Sequence, residues 1–232
     1  MVLFNAPPEV LHKLKHALSD EPIQSPEAFM QFADKISKSS ELSEVLQIGE
    51  GGIVFAQAQR ELFGILFEHM SLLRSGVMTG GGNAGKLIVG AKGIGKTNAA
   101  KAFVGLAEAI WDNVFTIYVD LTAIQSSKLD EISLIKWIEE FLKQTRNFET
   151  GRTAADRLRM PEVPLCKALT TAGKVLFLFI DGLDQLYMHD DKALAAITGE
   201  LAVLGGTAQR RIGTLLCGSS SFLFLDVVHG EG

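Results

Sequence analysis

The sequence predicts an α/β layer fold with a parallel sheet, and two patterns support this prediction. Short apolar runs typical of strands alternate with helical patterns along residues 85–217. The run from Val175 to Ile180 is apolar throughout, as expected of a central parallel strand that is buried on both faces. With 232 residues, 47% of them hydrophobic and 21% charged, the chain can form one large globular domain or a domain with a small appendage.

Residues 1–52 are predicted to form an N-terminal helical segment. Val10, Leu11, Leu14 and Leu18 have the spacing of a helix over residues 8–19. Ser25-Pro26-Glu27 is a typical helix start, with a capping hydroxyl, a proline at the first helical position and then an acid. Ser40-Glu41 suggests a third short helix before a glycine-rich break. We therefore place the domain boundary between residues 52 and 53.

Residues 53–232 are predicted to form the main domain. An amphipathic helix is expected over residues 56–74, and residues 147–164 are expected to be a polar loop. The predicted strands are Leu87 to Val89, Val114 to Leu121, Val175 to Ile180 and Ile212 to Cys217. The remaining predicted helices cover residues 97–110, 130–145 and 191–203.

Residues 80–97 read GGGNAGKLIVGAKGIGKT and contain two glycine–lysine pairs, ending at Lys86 and at Lys96. A loop that binds phosphate leaves a strand and enters a helix, so that backbone N–H groups and the positive helix end face the anion. Its lysine reaches the terminal phosphates, and the next residue needs a hydroxyl to hold magnesium. Lys86 fails these tests because Leu87 follows it and no predicted strand precedes it.

Lys96 passes every one of these tests, so residues 90–97, GAKGIGKT, form a complete Walker A motif. A predicted strand leads into the loop, Thr97 supplies the hydroxyl, and a predicted helix leads out. The residues expected to bind the phosphates are Gly90, Gly93, Ile94, Gly95, Lys96, Thr97 and Asn98. The alternative is a glycine-rich turn that binds nothing.

Two carboxylates follow the apolar strand that ends at Ile180. Asp181 comes directly after it, which makes the segment a Walker B motif whose aspartate positions magnesium through its water shell. Asp184 lies three positions further on, where a turn can bring its carboxylate towards the γ-phosphate to polarise an attacking water. The alternative for both residues is a solvated turn after a buried strand.

The apolar run followed by Asp181-Gly182-Leu183-Asp184 resembles the Walker B motif of the signal-transduction ATPases with numerous domains (STAND), NACHT proteins included. These belong with the AAA+ proteins to the P-loop NTPases that have an additional strand between the Walker A and Walker B strands. Val114 to Leu121 fits that strand. The resemblance covers about residues 53–221 and implies a three-layer P-loop NTPase sheet. A looser likeness is to the ATPase domains of crinkler-type effectors and retrotransposon hot-spot proteins.

The resemblance implies that the chain takes ATP and Mg²⁺ as cofactors, with Thr97 and Asp181 serving the metal and Lys96 and Asp184 serving catalysis. Such relatives also have a polar sensor residue at the end of the strand after Walker B. Ser219 or Ser220 takes that place here, although the arginine that usually ends the motif is missing. Ile53-Val54-Phe55 with Arg60-Glu61 resembles the box that lies beside the adenine; an exposed helix face is the alternative.

Two departures from the family pattern affect the expected function. Gln185 stands where many relatives have a further glutamate, so hydrolysis is less supported than binding. Eleven residues follow Ser221, too few for the helical lid that usually comes next, so we expect a domain truncated at its C-terminal end or a minimal version. The interpretations left open are an ATPase that drives a conformational or assembly switch, a switch that hardly hydrolyses, a small-molecule kinase and a module without nucleotide.

The expected partners are ATP or ADP and other protein subunits. The net charge of −5 argues against a nucleic acid held by bulk charge, although a local basic groove stays open. The N-terminus lacks the apolar run of a signal peptide and no apolar run is long enough to span a membrane, so we expect an intracellular protein, cytoplasmic or nuclear.

Three further candidate sites occur in the sequence, and for each of them exposed side chains are the simpler interpretation. They are a His12–His16 metal pair, an arginine finger at Arg210-Arg211 and a basic cluster of Arg152, Arg157 and Arg159.

Overall fold

A computed structural model shows one sheet with helices on both of its faces. The structure describes residues 2–18, 22–39, 57–75, 85–90, 95–121, 133–151, 162–182, 195–200 and 211–219. The elements in chain order are β1 (Val2–Phe4), α1 (Pro8–Ala17), α2 (Pro26–Ser37), α3 (Gln57–Ser75), β2 (Gly85–Gly90), α4 (Lys96–Ile110), β3 (Val114–Asp120), α5 (Leu134–Arg146), α6 (Glu162–Thr171), β4 (Val175–Asp181) and β5 (Ile212–Ser219). Residues 195–200 are also helical.

The described strands form a five-stranded sheet in the order β1-β3-β4-β5-β2. Strands β3, β4, β5 and β2 are parallel to their neighbours, and β1 is antiparallel to β3. All of the strands predicted from the sequence are therefore present and parallel. Strand β1 was not predicted, because its three residues are too few to show an alternating pattern.

The position of the additional strand differs from our expectation. Val114 to Leu121 was expected to lie between the Walker A and Walker B strands, and it does so along the chain. In the sheet, however, β3 lies on the far side of the Walker B strand β4, and β5 occupies the place between β4 and β2. The assignment to β3 was wrong because the crossover through α4 passes two strand positions, and chain order alone does not reveal such a crossover.

Strand β4 is the centre of the hydrophobic core, since every residue from Val175 to Ile180 is buried. Val175, Phe177 and Phe179 belong to a cluster that contains residues of α1 to α4. Leu176, Leu178 and Ile180 belong to a second cluster, with residues of α5 and α6. Because neighbouring residues of a strand point to opposite faces, these clusters lie on the two sides of the sheet. Three layers result, as expected for an α/β fold with a parallel sheet.

Aromatic rings join the N-terminal helices to α4. Phe29 of α2 contacts Phe63 and Phe67 of α3 and Phe103 of α4, with ring centroids 5.4 to 5.7 Å apart. Helix α2 begins where the sequence predicted, because the Ser25 hydroxyl accepts a hydrogen bond from the Ala28 N–H at 3.2 Å. The expected boundary between residues 52 and 53 and the expected helix at Ser40 lie outside the described residues.

Helix α6 was not predicted from the sequence. The polar loop was expected to continue to residue 164, whereas the helix starts at Glu162 and includes Pro164. A proline is tolerated there because the first N–H groups of a helix have no intrahelical partner. Prolines in this segment therefore mark the start of a helix as well as the end of a loop.

A buried ion pair connects α4, α5 and the chain before α1. Arg146 and Glu108 are 9% and 6% exposed, and the Arg146 Nε donates to Glu108 Oε1 at 2.5 Å. The second oxygen of Glu108 accepts from the Thr116 hydroxyl at 2.9 Å, and Arg146 also donates to the Ala6 carbonyl at 2.7 Å. The carboxylate is therefore satisfied through both oxygens while it is shielded from water.

We expect Arg146→Ala to lower the free energy of unfolding by about 3–5 kcal/mol, because it leaves Glu108 as an uncompensated buried charge. Urea unfolding measures this change. Combining Arg146→Met with Glu108→Gln should recover part of the loss by removing the charge. Lys143→Ala is the matched control on the same helix, since its pair with Glu149 is exposed on both sides and should contribute little. Equal losses in Arg146→Ala and Lys143→Ala would contradict this account of the buried pair.

Candidate functional site

The predicted phosphate lysine lies at the first residue of α4. Gly95 precedes the helix with φ +87°, a left-handed conformation that favours glycine. The glycine has no side chain that could cap the helix, so no side-chain cap competes for the first N–H groups of α4. These N–H groups and the positive end of the helix dipole favour an anion. Asn98, in the same turn, has an exposed side chain.

The Lys96 side chain is turned back towards the end of β2. Its Nζ donates a hydrogen bond to the Gly90 carbonyl at 2.7 Å. Gly90 is the last residue of β2 and the first residue of the Walker A motif, so the lysine spans the loop that it belongs to. The ammonium group thus lies where the loop leaves the sheet, beside the first turn of α4.

Both oxygens of the Asp181 carboxylate accept hydrogen bonds from other groups of the site. Its Oδ2 accepts a hydrogen bond from the Thr97 hydroxyl at 2.5 Å, which joins the first turn of α4 to the last residue of β4. Its Oδ1 accepts from the N–H of Gly182 at 2.9 Å. Gly182 has φ +85°, so a glycine suits the turn that aims this N–H back at the carboxylate. The Walker A hydroxyl and the Walker B carboxylate, distant in sequence, are thereby in direct contact.

The ends of β2, β4 and β5 lie at the same edge of the sheet. Gly90 is paired with Ser219, the last residue of β5, and Ile180 is paired with Leu216. The carboxyl ends of parallel strands are where open α/β sheets bind ligands. The predicted sensor residue Ser219 therefore belongs to the same edge as Lys96 and Asp181 by its backbone position.

Tyr118 is a site residue that the sequence analysis missed. Its hydroxyl donates to Oδ2 of Asp181 at 2.9 Å, the same oxygen that accepts from Thr97. Burial first, and then the charge and hydrogen bond of Asp181, raise the pKa of the Tyr118 hydroxyl well above its ordinary value. The signal in the sequence was a tyrosine two residues before the end of a strand that could neighbour Walker B.

Several predicted residues lie outside the described part of the chain. They are Gly93 and Ile94 of the phosphate loop, Asp184, the alternative sensor residue Ser220, Gln185, Arg210 and the cluster of Arg152, Arg157 and Arg159. The roles assigned to them stay predictions.

The secondary candidates that are described have other contacts or positions. His12 and His16 are exposed, with ring centroids 4.5 Å apart, and no third His, Cys, Asp or Glu joins them as a metal ligand among the described residues. Arg60 forms two hydrogen bonds with Asp34 of α2, at 2.9 and 3.0 Å, on an exposed face. Arg211 directly precedes β5, at the opposite end of the strand from Ser219.

The donors at the edge suit a magnesium ion. A threonine hydroxyl and a carboxylate are hard oxygen ligands, and Mg²⁺ usually takes one or two such groups together with waters and nucleotide phosphates. Thr97 and Asp181 are both partly exposed and already within hydrogen-bonding distance of each other. A cation beside them would be balanced by the carboxylate, and Lys96 would face the phosphates that accompany it.

Comparisons with solved structures find similar folds. The Aeropyrum pernix ORC2 protein, in its ADPNP–ADP complexes, is similar with a TM-score of 0.53 and 20% identity, over 80% of this chain and 48% of that chain. Caenorhabditis elegans PCH-2 is similar with a TM-score of 0.43 and 13% identity, over 75% of this chain and 40% of that chain. No family model and no curated protein matches the chain.

The α/β fold of this chain is thus similar to that of part of the ORC2 protein. The chain spans about half the length of the ORC2 protein and less of PCH-2. None of the helices described here is long and apolar enough to cross a membrane.

The environment of Tyr118 predicts how the protein responds to alkali. The chain has two tyrosines, so a Tyr187→Phe variant leaves Tyr118 as the only phenol. The folded state raises the pKa of the Tyr118 hydroxyl, so the protonated hydroxyl stabilises the fold. This contribution is fully present below the ordinary pKa of 10.0 and is lost as the pH rises above that value. We expect the absorbance at 295 nm to stay flat through pH 10 and to rise only at higher pH, together with unfolding. A midpoint near 10 in protein that circular dichroism shows to be folded would contradict this expectation.

Proposed function

We propose that this chain is an ATP-binding P-loop NTPase domain that binds Mg-ATP and hydrolyses it to drive a conformational or assembly switch. The observation that carries the proposal is the hydrogen bond between Thr97 and Asp181 at 2.5 Å. It joins the hydroxyl and the carboxylate that a P-loop enzyme needs on either side of its magnesium ion. The similar ORC2 structure contains ADPNP and ADP, which supports an adenine nucleotide here as well.

Each residue has a distinct role in this proposal. Lys96 neutralises charge on the β- and γ-phosphates, and Thr97 and Asp181 hold the metal. Backbone N–H groups of the loop bind the phosphates, with Gly90, Gly93, Ile94, Gly95 and Asn98 shaping it. When bound, Mg²⁺ offsets the charge that develops on the phosphates.

The chemical step needs a base and a sensor in addition to the phosphate site. Asp184 is the proposed general base that polarises the attacking water, and Ser219 is the proposed contact to the γ-phosphate. The backbone pairing of Ser219 with Gly90 supports this, because it brings the sensor position beside the first residue of the phosphate loop. The STAND or NACHT branch is the affiliation that the Asp181-Gly182-Leu183-Asp184 segment supports.

The rest of the chain fits a switch domain. We propose residues 1–52 as a helical segment and residues 53–232 as the NTPase domain, with other protein subunits as partners of the assembled state. The Lys96 Nζ donates to the Gly90 carbonyl at 2.7 Å, and a phosphate bound by the loop would compete for the same ammonium group. Binding of a nucleotide would therefore change the contact between Lys96 and the start of the loop, which couples the conformation of the loop to nucleotide binding.

A nucleotide-dependent switch with little or no hydrolysis is the second candidate function. Gln185 favours it, because a glutamine cannot act as the base that the glutamate of many relatives provides. Turnover decides between the candidates. Protein that binds Mg-ATP but releases no phosphate above the background would support the switch, and a Gln185→Glu variant should then acquire turnover.

Lys96→Ala should abolish nucleotide binding, since it removes the cation that faces the phosphates. At a concentration 100 times the Kd, ATP with magnesium stabilises a protein by about 2.7 kcal/mol, or roughly 5–10 °C in Tm for a chain of this size. We expect this rise in the native protein and no rise in Lys96→Ala. Lys86→Ala is the matched control, because Lys86 follows a glycine in the same segment but lies outside the Walker A motif. A rise that survives in Lys96→Ala, or that is lost in Lys86→Ala alone, would contradict the assignment.

Asp184→Asn should spare nucleotide affinity and lower the rate of phosphate release by about 10²-fold or more, the usual contribution of a general base. A phosphate-release assay and an equilibrium binding assay on the same protein separate the two effects. The base is wrongly assigned if turnover persists at the native rate.

A further inference from the structure

Tyr118 lies on the strand next to Walker B and faces the nucleotide edge. It is two residues from the end of β3 and is paired in register with Phe179, two residues before Asp181. Its ring stacks on the ring of Phe179 with centroids 5.9 Å apart, and the Lys101 ammonium lies 5.2 Å from the centre of the Tyr118 ring. The ring is therefore fixed by packing, and its hydroxyl reaches the carboxylate at the strand end.

The two hydroxyl groups that bind Asp181 come from different parts of the fold. Thr97 belongs to the first turn of α4, directly after the phosphate loop, whereas Tyr118 belongs to a buried strand of the sheet. Both donate to Oδ2, at 2.5 and 2.9 Å. The bond from Tyr118 thus holds the carboxylate from the rigid side of the site and does not depend on the conformation of the loop.

We propose that Tyr118 is a positioning residue that keeps the carboxylate of Asp181 oriented for magnesium; this inference rests on the proposed function. The partner of a metal-binding carboxylate limits its rotation, and replacing such a partner typically costs 10- to 100-fold in metal affinity. The ring itself needs no hydroxyl to fill its place beside Phe179. The hydroxyl is the part of the side chain that acts on the site.

The competing explanation is that the hydroxyl is simply a buried polar group that has found an acceptor. The two explanations differ in what Tyr118→Phe changes. A merely structural hydroxyl affects the stability of the fold, and with it every ligand equally. A positioning hydroxyl affects the metal selectively, and leaves the metal-free affinity for nucleotide as it was.

The test measures magnesium and nucleotide separately. A fluorescent ATP analogue is titrated in EDTA to give the metal-free affinity, and Mg²⁺ is then titrated at a fixed concentration of the analogue. We expect Tyr118→Phe to need about tenfold more Mg²⁺ or more for half-saturation, with the affinity in EDTA unchanged. Mn²⁺ in place of Mg²⁺ gives a direct signal in electron paramagnetic resonance, and the variant should bind it with the same loss.

Thr116→Val is the matched control. It removes a buried hydroxyl two residues away on the same strand, one that donates to Val104 and Glu108 instead of Asp181. We expect a lower Tm and an unchanged Mg²⁺ half-saturation in this variant. An equal increase in the Mg²⁺ requirement of both variants would make Tyr118 a structural residue and overturn the inference.

The remaining outcomes separate this inference from the proposed function. Native protein that binds the analogue with Mg²⁺ while Tyr118→Phe needs no additional Mg²⁺ would overturn the positioning role alone. Native protein that does not bind the analogue at all would overturn the proposed function and this inference with it. A selective loss in Tyr118→Phe, seen with both metals, supports both.

Discussion

The complete burial of β4 is the constraint on which the site depends. The strand lies between β3 and β5 and is covered on both faces, so its residues from Val175 to Ile180 have no freedom to shift without disturbing both halves of the core. Asp181 is the first residue beyond that buried run. Its position is therefore determined by apolar packing, and the polar groups around it, on α4 and at Gly182, arrange themselves about a fixed carboxylate.

The described polar groups of the site form hydrogen bonds within the protein. Lys96 bonds to Gly90, and Asp181 accepts from Thr97, Tyr118 and Gly182. A ligand that replaced these hydrogen bonds would bind with a net free energy equal to the difference between two sets of bonds.

The sequence predicted the parallel strands, and it singled out Thr97 and Asp181, which the structure brings into contact. It could do so because loop, hydroxyl and carboxylate each follow from local spacing. It could not predict the order of the strands, since a crossover over two positions leaves no trace in the spacing between Thr97 and Val114. It also missed Tyr118, whose role exists only through its register with Phe179. A contact between two strands depends on how the strands pair in the folded protein, whereas a motif lies within one continuous segment of the sequence. Asp184 has a predicted role that rests on the sequence alone.

Strand β1 has a consequence for how copies of this protein can meet. A long unpaired strand at the side of a sheet invites pairing with another chain and so promotes aggregation. Here the three residues of β1 pair with the last three residues of β3, and the Ala6 carbonyl that follows is held by the buried guanidinium of Arg146. Among the described strands, the outermost ladder on this side is therefore three residue pairs long, so β1 itself offers another chain only a short edge to pair with.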